Sequence, residues 1–168
     1  MGSSGSKQKL FEVIKMFNTG SGQQWSGIML CPPAICPIAE ARRLLTNPHV
    51  YLTDAFVPAK EINQKSDVVI CHGGQGTLQT AIMSGVPLVG YPSQPEQKIN
   101  LQHLQDFGAG VMVSSFNWKA ATLQKKVALM IEHQHYKDKA QELKNYAEHL
   151  DTKGKIAATV WNMIQKLK

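Results

Sequence analysis

The sequence predicts an α/β fold in which a parallel sheet is flanked by helices. Short apolar segments of strand length alternate along the chain with segments whose apolar residues recur at helical spacing. Strands that alternate with helices in this way form parallel sheets through right-handed crossovers. The 168 residues, 43% of them hydrophobic, suffice to bury one core, so we expect residues 1–168 to form a single domain.

The predicted elements follow one another closely. The first helix covers residues 7–17, where Leu10, Val13, Ile14 and Phe17 share one face. Further helices are predicted at 38–45, 60–65, 77–84, 96–107, 118–133, 136–150 and 154–167. Strands are predicted at 27–31, 49–52, 68–70, 86–89 and 111–113, with a polar loop at 18–24.

Residues 67–97 form the most informative stretch, a strand, a glycine-rich turn, a helix and a second strand. Glycines permit positive φ and leave out the Cβ atoms that would block a ligand. The free N–H groups of the first helical turn and the helix dipole favour a phosphate. Thr77 can cap this helix or bind a phosphate oxygen. The candidate diphosphate-binding residues are His72, Gly73, Gly74, Gly76 and Thr77. The alternative is a tight turn whose glycines serve packing alone, with a neutral, structural histidine.

The stretch resembles the donor-site signature of GT-B glycosyltransferases, most of all the UDP-glycosyltransferase superfamily of the family 1 and 28 type. The matching residues, in order, are 72–77, Ala81, Ser84-Gly85-Val86-Pro87, Tyr91-Pro92, Glu96-Gln97 and Asn100. The resemblance implies the C-terminal half of a GT-B fold, which is a Rossmann-like, nucleotide-sugar-binding domain. Ligands of such sheets lie outside the carboxyl ends of the strands, where His72 falls.

The resemblance also assigns the other contacts of a nucleotide sugar. Glu96 and Gln97 match the pair that binds the sugar hydroxyls, although Glu96 can equally be a solvated residue at a helix start. The nucleoside contacts would come from Phe56, Val57, Pro58 and Thr80. Many members have Trp at position 56 and Glu at position 80, so these contacts are weaker here. Phe56 has the alternative of filling the core.

The first six residues have two interpretations. They resemble the remnant of an expression tag, and they also resemble the Gly-Ser loop that approaches the donor phosphates in the family. We favour the loop, with Ser4 and Ser6 at the diphosphate, because the helix at 7–17 follows at once. The family places an apolar strand before this loop and an acceptor-binding domain further ahead. We therefore expect the chain to begin inside the first βαβ unit, without that domain.

Composition restricts the compartment and the partners. The net charge of +6 suits an anionic ligand and is compatible with peripheral contact to a membrane surface. No basic motif interleaved with aromatic residues points to nucleic acid, and no apolar run is long enough to span a membrane. The three cysteines form no paired framework or metal-ligand set, although Cys31 and Cys36 can in principle form a disulfide or hold a metal. Reduced thiols and a cytoplasmic location are expected.

Together these features predict a domain that binds a nucleotide diphosphate sugar, most of all a UDP-sugar, for transfer of a hexosyl group to an acceptor hydroxyl. No cofactor or metal is expected, because helix dipole and side-chain donors replace the metal in this class. The resemblance places the catalytic base in the acceptor-binding domain, so this chain alone should not transfer sugar. One alternative is a non-catalytic donor subunit with a separate acceptor or membrane-anchor chain, as in the two-subunit dolichol-linked GlcNAc transferase. Another, a nicotinamide-binding domain, lacks the expected GxGxxG motif.

Overall fold

The computed structural model of the protein describes residues 5–150. The helices are α1 Lys7–Asn18, α2 Ile38–Leu44, α3 Ala59–Asn63, α4 Gln75–Ser84, α5 Pro95–Phe107, α6 Ala120–Glu132 and α7 Gln134–His149. The strands are β1 Gly27–Leu30, β2 Val50–Thr53, β3 Val69–Cys71, β4 Leu88–Gly90 and β5 Gly110–Met112, and 3₁₀ turns form at Gly20–Gln24 and Ser115–Asn117. The predicted α/β order is confirmed over this range.

The strands form two parallel sheets rather than one. β1 pairs with β2, and Gly27 lies opposite Val50. The second sheet has the order β3-β4-β5, with Val69 opposite Leu88 and Leu88 opposite Gly110. All these pairs are parallel, so the carboxyl ends of the strands within each sheet lie along one edge. Helices connect consecutive strands, as expected of parallel sheets.

Two apolar clusters hold the helices to the sheets. The larger one joins the buried face of α1 to β1, β2, α6 and the fully buried Trp118, whose indole N–H donates to the Lys9 carbonyl at 3.2 Å. The smaller cluster lies between β3, α4, α5 and α7. Burial of large apolar side chains contributes roughly 1.5–3 kcal/mol each, so these clusters account for the placement of the helices.

Several predicted boundaries were wrong by a few residues. The helix predicted from Thr77 begins at Gln75, because Gly74 is extended and takes the capping position. The strand predicted at 86–89 is Leu88–Gly90, because the N–H of Val86 bonds the Ala81 carbonyl in the turn that ends α4. The loop predicted at 18–24 contains a 3₁₀ turn at Gly20–Gln24. The helix predicted at 154–167 lies outside the described residues.

Within residues 5–150, no helix is both long enough and apolar enough to cross a bilayer.

Candidate functional site

The glycine-rich turn leads from the carboxyl end of β3 into α4. Gly73 has φ +81°, and a Cβ atom there would lie 2.6 Å from Cγ of Leu101. Gly74 is extended, with φ −63°, and a Cβ atom there would lie 2.8 Å from Nε2 of His72. Both positions therefore require glycine for packing, but only Gly73 uses the left-handed conformation.

Gly76 differs from its two neighbours. It lies in the first turn of α4, and a Cβ atom there would meet no atom of the described residues within 4 Å. Glycine in a helix is less favourable than alanine by roughly 0.5–1 kcal/mol. The alternative that these glycines serve packing alone explains Gly73 and Gly74 but leaves Gly76 unexplained. A bound group that approaches the backbone of this turn would explain it.

The start of α4 presents free N–H groups. Gly74 is the N-cap and makes no side-chain capping bond, and the first intrahelical bond runs from the Leu78 N–H to the Gly74 carbonyl at 3.0 Å. The N–H groups of Gln75, Gly76 and Thr77 therefore have no acceptor within the helix. Thr77 is the third helical residue, so the prediction that it caps the helix was wrong. Three N–H groups without helical acceptors at the positive end of the dipole are suited to an anion, and binding of a diphosphate there stays a prediction.

His72 lies beside this turn and is almost fully buried, with 5% of its surface exposed. Burial lowers the pKa of its imidazole, so the ring is neutral at pH 7. Among the described residues its Nδ1 atom has no hydrogen-bond partner. A buried nitrogen without a partner is costly and uncommon, and such exceptions often occur at ligand sites. His72 is therefore neutral, as expected of a histidine with a purely structural role, but its Nδ1 atom lacks the hydrogen bond that such a role would supply.

The first turn of α5 is tied to the glycine turn through Asn100. The Asn100 side-chain amide donates to the Gly73 carbonyl at 3.2 Å and to Oε1 of Glu96 at 2.9 Å. Glu96 itself is exposed. The sequence analysis included Asn100 in the motif but predicted no role for it. Its position four residues after Glu96 on the same helix nevertheless indicates that the two side chains are neighbours. The predicted sugar site and diphosphate site are thus adjacent.

Gln97 is held more tightly than Glu96. It is 3% exposed, and its Oε1 accepts hydrogen bonds from the Ser93 backbone N–H at 2.9 Å and the Ser93 hydroxyl at 2.8 Å. These bonds shape the loop between β4 and α5. Any contact of Gln97 with a sugar would therefore come from its Nε2 atom, and the assignment stays a prediction.

The residues predicted to contact the nucleoside are spread over two elements. Phe56 is 97% exposed in the loop after β2, so the alternative that it fills the core is wrong. Val57 is partly buried, and Pro58 directly precedes α3, which packs against α4. The Thr80 hydroxyl donates to the Gly76 carbonyl at 2.8 Å. Thr80 can therefore only accept a hydrogen bond from a ribose unless this bond breaks.

Ser6 lies at the start of α1, where its carbonyl accepts the Leu10 N–H at 3.0 Å. A backbone hydrogen bond joins Ser6 to the side chain of Tyr91, which directly follows β4. This contact places Ser6 at the carboxyl end of the sheet that carries His72. Ser4, the other predicted residue of this loop, lies outside the described residues.

The described residues contain a further hollow but no metal-binding cluster. A hollow of about 220 Å³ lies at the opposite end of β3 and β4, is lined by Ser66, Asp67 and Lys137 among others, and contains no predicted site residue. No group of three or more His, Cys, Asp or Glu side chains suited to a metal ion occurs within residues 5–150. Donor binding without a metal stays a prediction.

Comparison with known proteins identifies the class. The family described as the C-terminal domain of erythromycin biosynthesis protein CIII-like proteins matches residues 38–162. The chain is 30% identical over 137 residues to a PGL/p-HBAD biosynthesis rhamnosyltransferase of Mycobacterium bovis, covering 78% of this chain and 30% of that protein. It is 30% identical over 90 residues to the NDP-glycosyltransferase YjiC of Bacillus licheniformis, covering 54% of this chain and 23% of that protein.

Solved structures agree in fold. The spinosyn rhamnosyltransferase SpnG superposes with a TM-score of 0.76 at 20% identity, covering 94% of this chain and 41% of SpnG. The calicheamicin glycosyltransferase CalG4 superposes with a TM-score of 0.73 at 16% identity, covering 96% of this chain and 40% of CalG4. The predicted fold is therefore confirmed: the chain has the fold of the C-terminal domain of GT-B glycosyltransferases.

Within that class, the chain belongs to the family of the erythromycin biosynthesis protein CIII-like C-terminal domain. It spans less than a third of the length of its curated mycobacterial relatives, 24% of one and 30% of another.

Proposed function

We propose that this domain binds a nucleotide diphosphate sugar, in the first place a UDP-sugar, as the donor in glycosyl transfer. The observation that carries the proposal is the open first turn of α4. Among residues 5–150, Gly76 has no packing neighbour at its Cβ position, three N–H groups lack helical acceptors, and the adjacent His72 has a buried nitrogen without a partner. A diphosphate supplies acceptors for these donors and uses the space over Gly76.

The proposed chemistry follows from these donors. The acceptor hydroxyl oxygen attacks the anomeric carbon, the bond from that carbon to the diphosphate oxygen breaks, and negative charge develops on the diphosphate. N–H groups and an imidazole N–H directed at that charge lower the barrier. The proton of the hydroxyl passes to a base, which the resemblance places in the acceptor-binding domain. We therefore propose that this chain alone binds the donor without transferring its sugar.

The relatives indicate which nucleotides should be compared in a binding test. One relative, YdhE of Bacillus subtilis, is described as a UDP-glucosyltransferase, and SpnG was also solved with thymidine diphosphate. Both nucleotides carry a pyrimidine and a diphosphate. We propose UDP, and thymidine diphosphate is the comparison that tests this choice.

The second part of the proposal is a partner for the acceptor. Phe56 and Phe116 are 97% and 91% exposed, in the loops that follow β2 and β5. Each ring follows the carboxyl end of a strand, as the proposed donor site does, and its exposure supports contact with another protein unit. We propose an acceptor-binding domain or subunit there. The alternative, in which this chain is a non-catalytic donor subunit, uses the same surface with a partner on a separate chain.

Calorimetric titration of the chain with UDP, UMP and thymidine diphosphate tests the donor site. UDP should bind at least tenfold more tightly than UMP, because UMP lacks the second phosphate. His72→Ala should lose this difference, whereas His103→Ala, which removes an exposed histidine of α5, should keep it. Equal affinity for UDP and UMP would contradict a diphosphate site, and tighter binding of thymidine diphosphate would overturn the choice of UDP.

We also propose a cytoplasmic location and no metal cofactor. The cysteines Cys31, Cys36 and Cys71 are all free thiols, which supports a reducing compartment. Titration of UDP with and without a chelator tests the second point. Unchanged affinity is expected, and a large loss would show that a metal takes part in binding.

A further inference from the structure

Two of the three cysteines share one turn at the carboxyl end of β1. Cys31 directly follows this strand, and its N–H donates to the Thr53 carbonyl of β2 at 2.8 Å. The chain then folds back, because the N–H groups of Ile35 and Cys36 both donate to the Pro32 carbonyl, at 2.8 and 3.2 Å. This turn brings the side chains of Cys31 and Cys36 together inside the larger apolar cluster.

Both thiols are buried, and they are joined through the turn itself. Sγ of Cys31 donates to the Cys36 carbonyl at 3.2 Å, which holds the Cys31 side chain against the Cys36 backbone. Cys31 is 0% and Cys36 1% exposed. The third cysteine, Cys71, belongs to the other cluster, where its sulfur accepts the Gly73 N–H at 3.2 Å.

Cys36 has a carboxylate beside it. Its Sγ lies 3.8 Å from Oε2 of Glu40, one turn along α2, and the other carboxylate oxygen pairs with Nζ of Lys7 at 2.7 Å. Glu40 therefore accepts a hydrogen bond from the Cys36 thiol. Burial raises the pKa of Cys31, so that thiol keeps its proton longer. The surroundings thus distinguish the two sulfurs.

We propose that Cys31 and Cys36 form a redox pair, which hydrogen peroxide oxidises to a disulfide and a thiol reductant restores. Sγ of Cys36 attacks one peroxide oxygen, the O–O bond breaks, and water leaves as Cys36 becomes a sulfenic acid. Sγ of Cys31 then attacks the Cys36 sulfur, and the hydroxyl group leaves with the Cys31 proton as a second water. Two thiols and one peroxide thus give one disulfide and two waters.

The burial of both sulfurs sets the expected kinetics. Only a small oxidant can enter, through the exposed residues Pro33 and Ala34 at the tip of the turn. A disulfide bond needs the two sulfurs to lie about 2.05 Å apart, so the turn must tighten before the bond can form. We therefore expect reaction with peroxide to be faster than reaction with a bulky aromatic disulfide reagent.

Thiol counting and intact mass test the pair directly. The reduced chain, with three free thiols, is treated with hydrogen peroxide and then quenched. The expected product has one free thiol, a mass lower by the two lost hydrogens, and a linked 31–36 peptide after digestion. Dithiothreitol should restore all three thiols. A count that stays at three, or disulfide-linked dimers as the product, would overturn the proposal.

Variants separate the pair from the remaining thiol. After peroxide treatment, Cys71→Ala should still form the internal disulfide. The folded Cys36→Ala and Cys31→Ala variants should not show the mass decrease of two hydrogens. Circular dichroism checks that each variant folds. If one cysteine variant unfolds, the other keeps the test intact. A disulfide that involves Cys71 in the wild-type chain would also contradict the proposed pair.

Discussion

The glycine turn after β3 and the loop after β2 lie at the carboxyl ends of their strands, yet the fold holds them very differently. In the turn, Gly73 packs against Leu101, Asn100 bonds the Gly73 carbonyl, and His72 is buried. In the loop, Phe56 is 97% exposed. The groups proposed to bind the diphosphate are therefore in place before a ligand arrives, and the aromatic ring proposed for the base is not.

This difference suggests how binding energy is distributed. Donors that are already oriented need little reorganisation when negative charge arrives, so they serve both binding and catalysis. An exposed aromatic side chain gains its contacts only from a ligand or from a partner. We therefore expect changes in the glycine turn to affect both folding and affinity, and changes at Phe56 to affect affinity alone.

The largest effect is expected from Gly73→Ala. A Cβ atom at this position would lie 2.6 Å from Leu101, and the φ of +81° strains any residue other than glycine. Together the clash and the strain should lower the free energy of unfolding by about 2 kcal/mol or more. Urea denaturation measures this change. A variant as stable as the wild type would show that the turn is not rigidly held.

Gly76→Ala should separate binding from folding. The added methyl group meets no neighbour, so stability should stay equal or rise by up to about 1 kcal/mol. If the diphosphate lies over this turn, UDP affinity should fall about tenfold, which corresponds to about 1.4 kcal/mol. Gln79→Ala, at an exposed position later in α4, is the matched control and should leave the affinity unchanged. Undiminished UDP affinity in Gly76→Ala would remove the main support for the site.

Phe56→Ala tests the other side of the comparison. Stability should change by less than about 0.5 kcal/mol, because the ring is exposed. Loss of base stacking should weaken UDP binding about fivefold, while inorganic pyrophosphate, which has no base, should bind as before. Phe116→Ala, which removes a similarly exposed ring, should change neither. An equal loss for UDP and pyrophosphate would show that Phe56 acts on the turn instead.

The smallest effect concerns pH. Burial lowers the pKa of His72 in the folded chain, so between that pKa and the ordinary value of 6.5 the unfolded chain binds more protons. The contribution of neutral His72 to the free energy of unfolding is therefore fully present above pH 6.5 and is lost as the pH falls below 6.5. Between pH 7.5 and pH 5.5, His72→Gln should lose less stability than the wild type. Parallel melting curves for the two chains would contradict a buried, neutral His72.

The sequence predicted the order of the elements and the location of the turn because both depend on local patterns. Apolar periodicity gave the helices, and the glycines together with the motif gave the strand–turn–helix unit. It also predicted that His72 and Glu96 lie near each other, because parallel strands bring successive loops to one edge of the sheet.

Other features depend on contacts between distant residues. Asn47, which lies before β2, donates to the Gly22 carbonyl within the 3₁₀ turn at Gly20–Gln24, and Gln124 of α6 donates to the hydroxyl of Thr19, which caps that turn. The separation into two sheets follows from pairing, which residue spacing does not encode. Likewise, only the positions of the neighbouring atoms show that a Cβ atom has space at Gly76 and would clash with His72 at Gly74.

The most direct test of the account follows the backbone amides of the labelled chain by NMR during titration with UDP and, separately, with UMP. UDP should shift the amide signals of Gln75, Gly76 and Thr77 most strongly, because their N–H groups lack helical acceptors and would bind the second phosphate. UMP at equal saturation should shift these signals much less. Shifts of the same size for both nucleotides, or shifts confined to other parts of the chain, would contradict a diphosphate site at the start of α4.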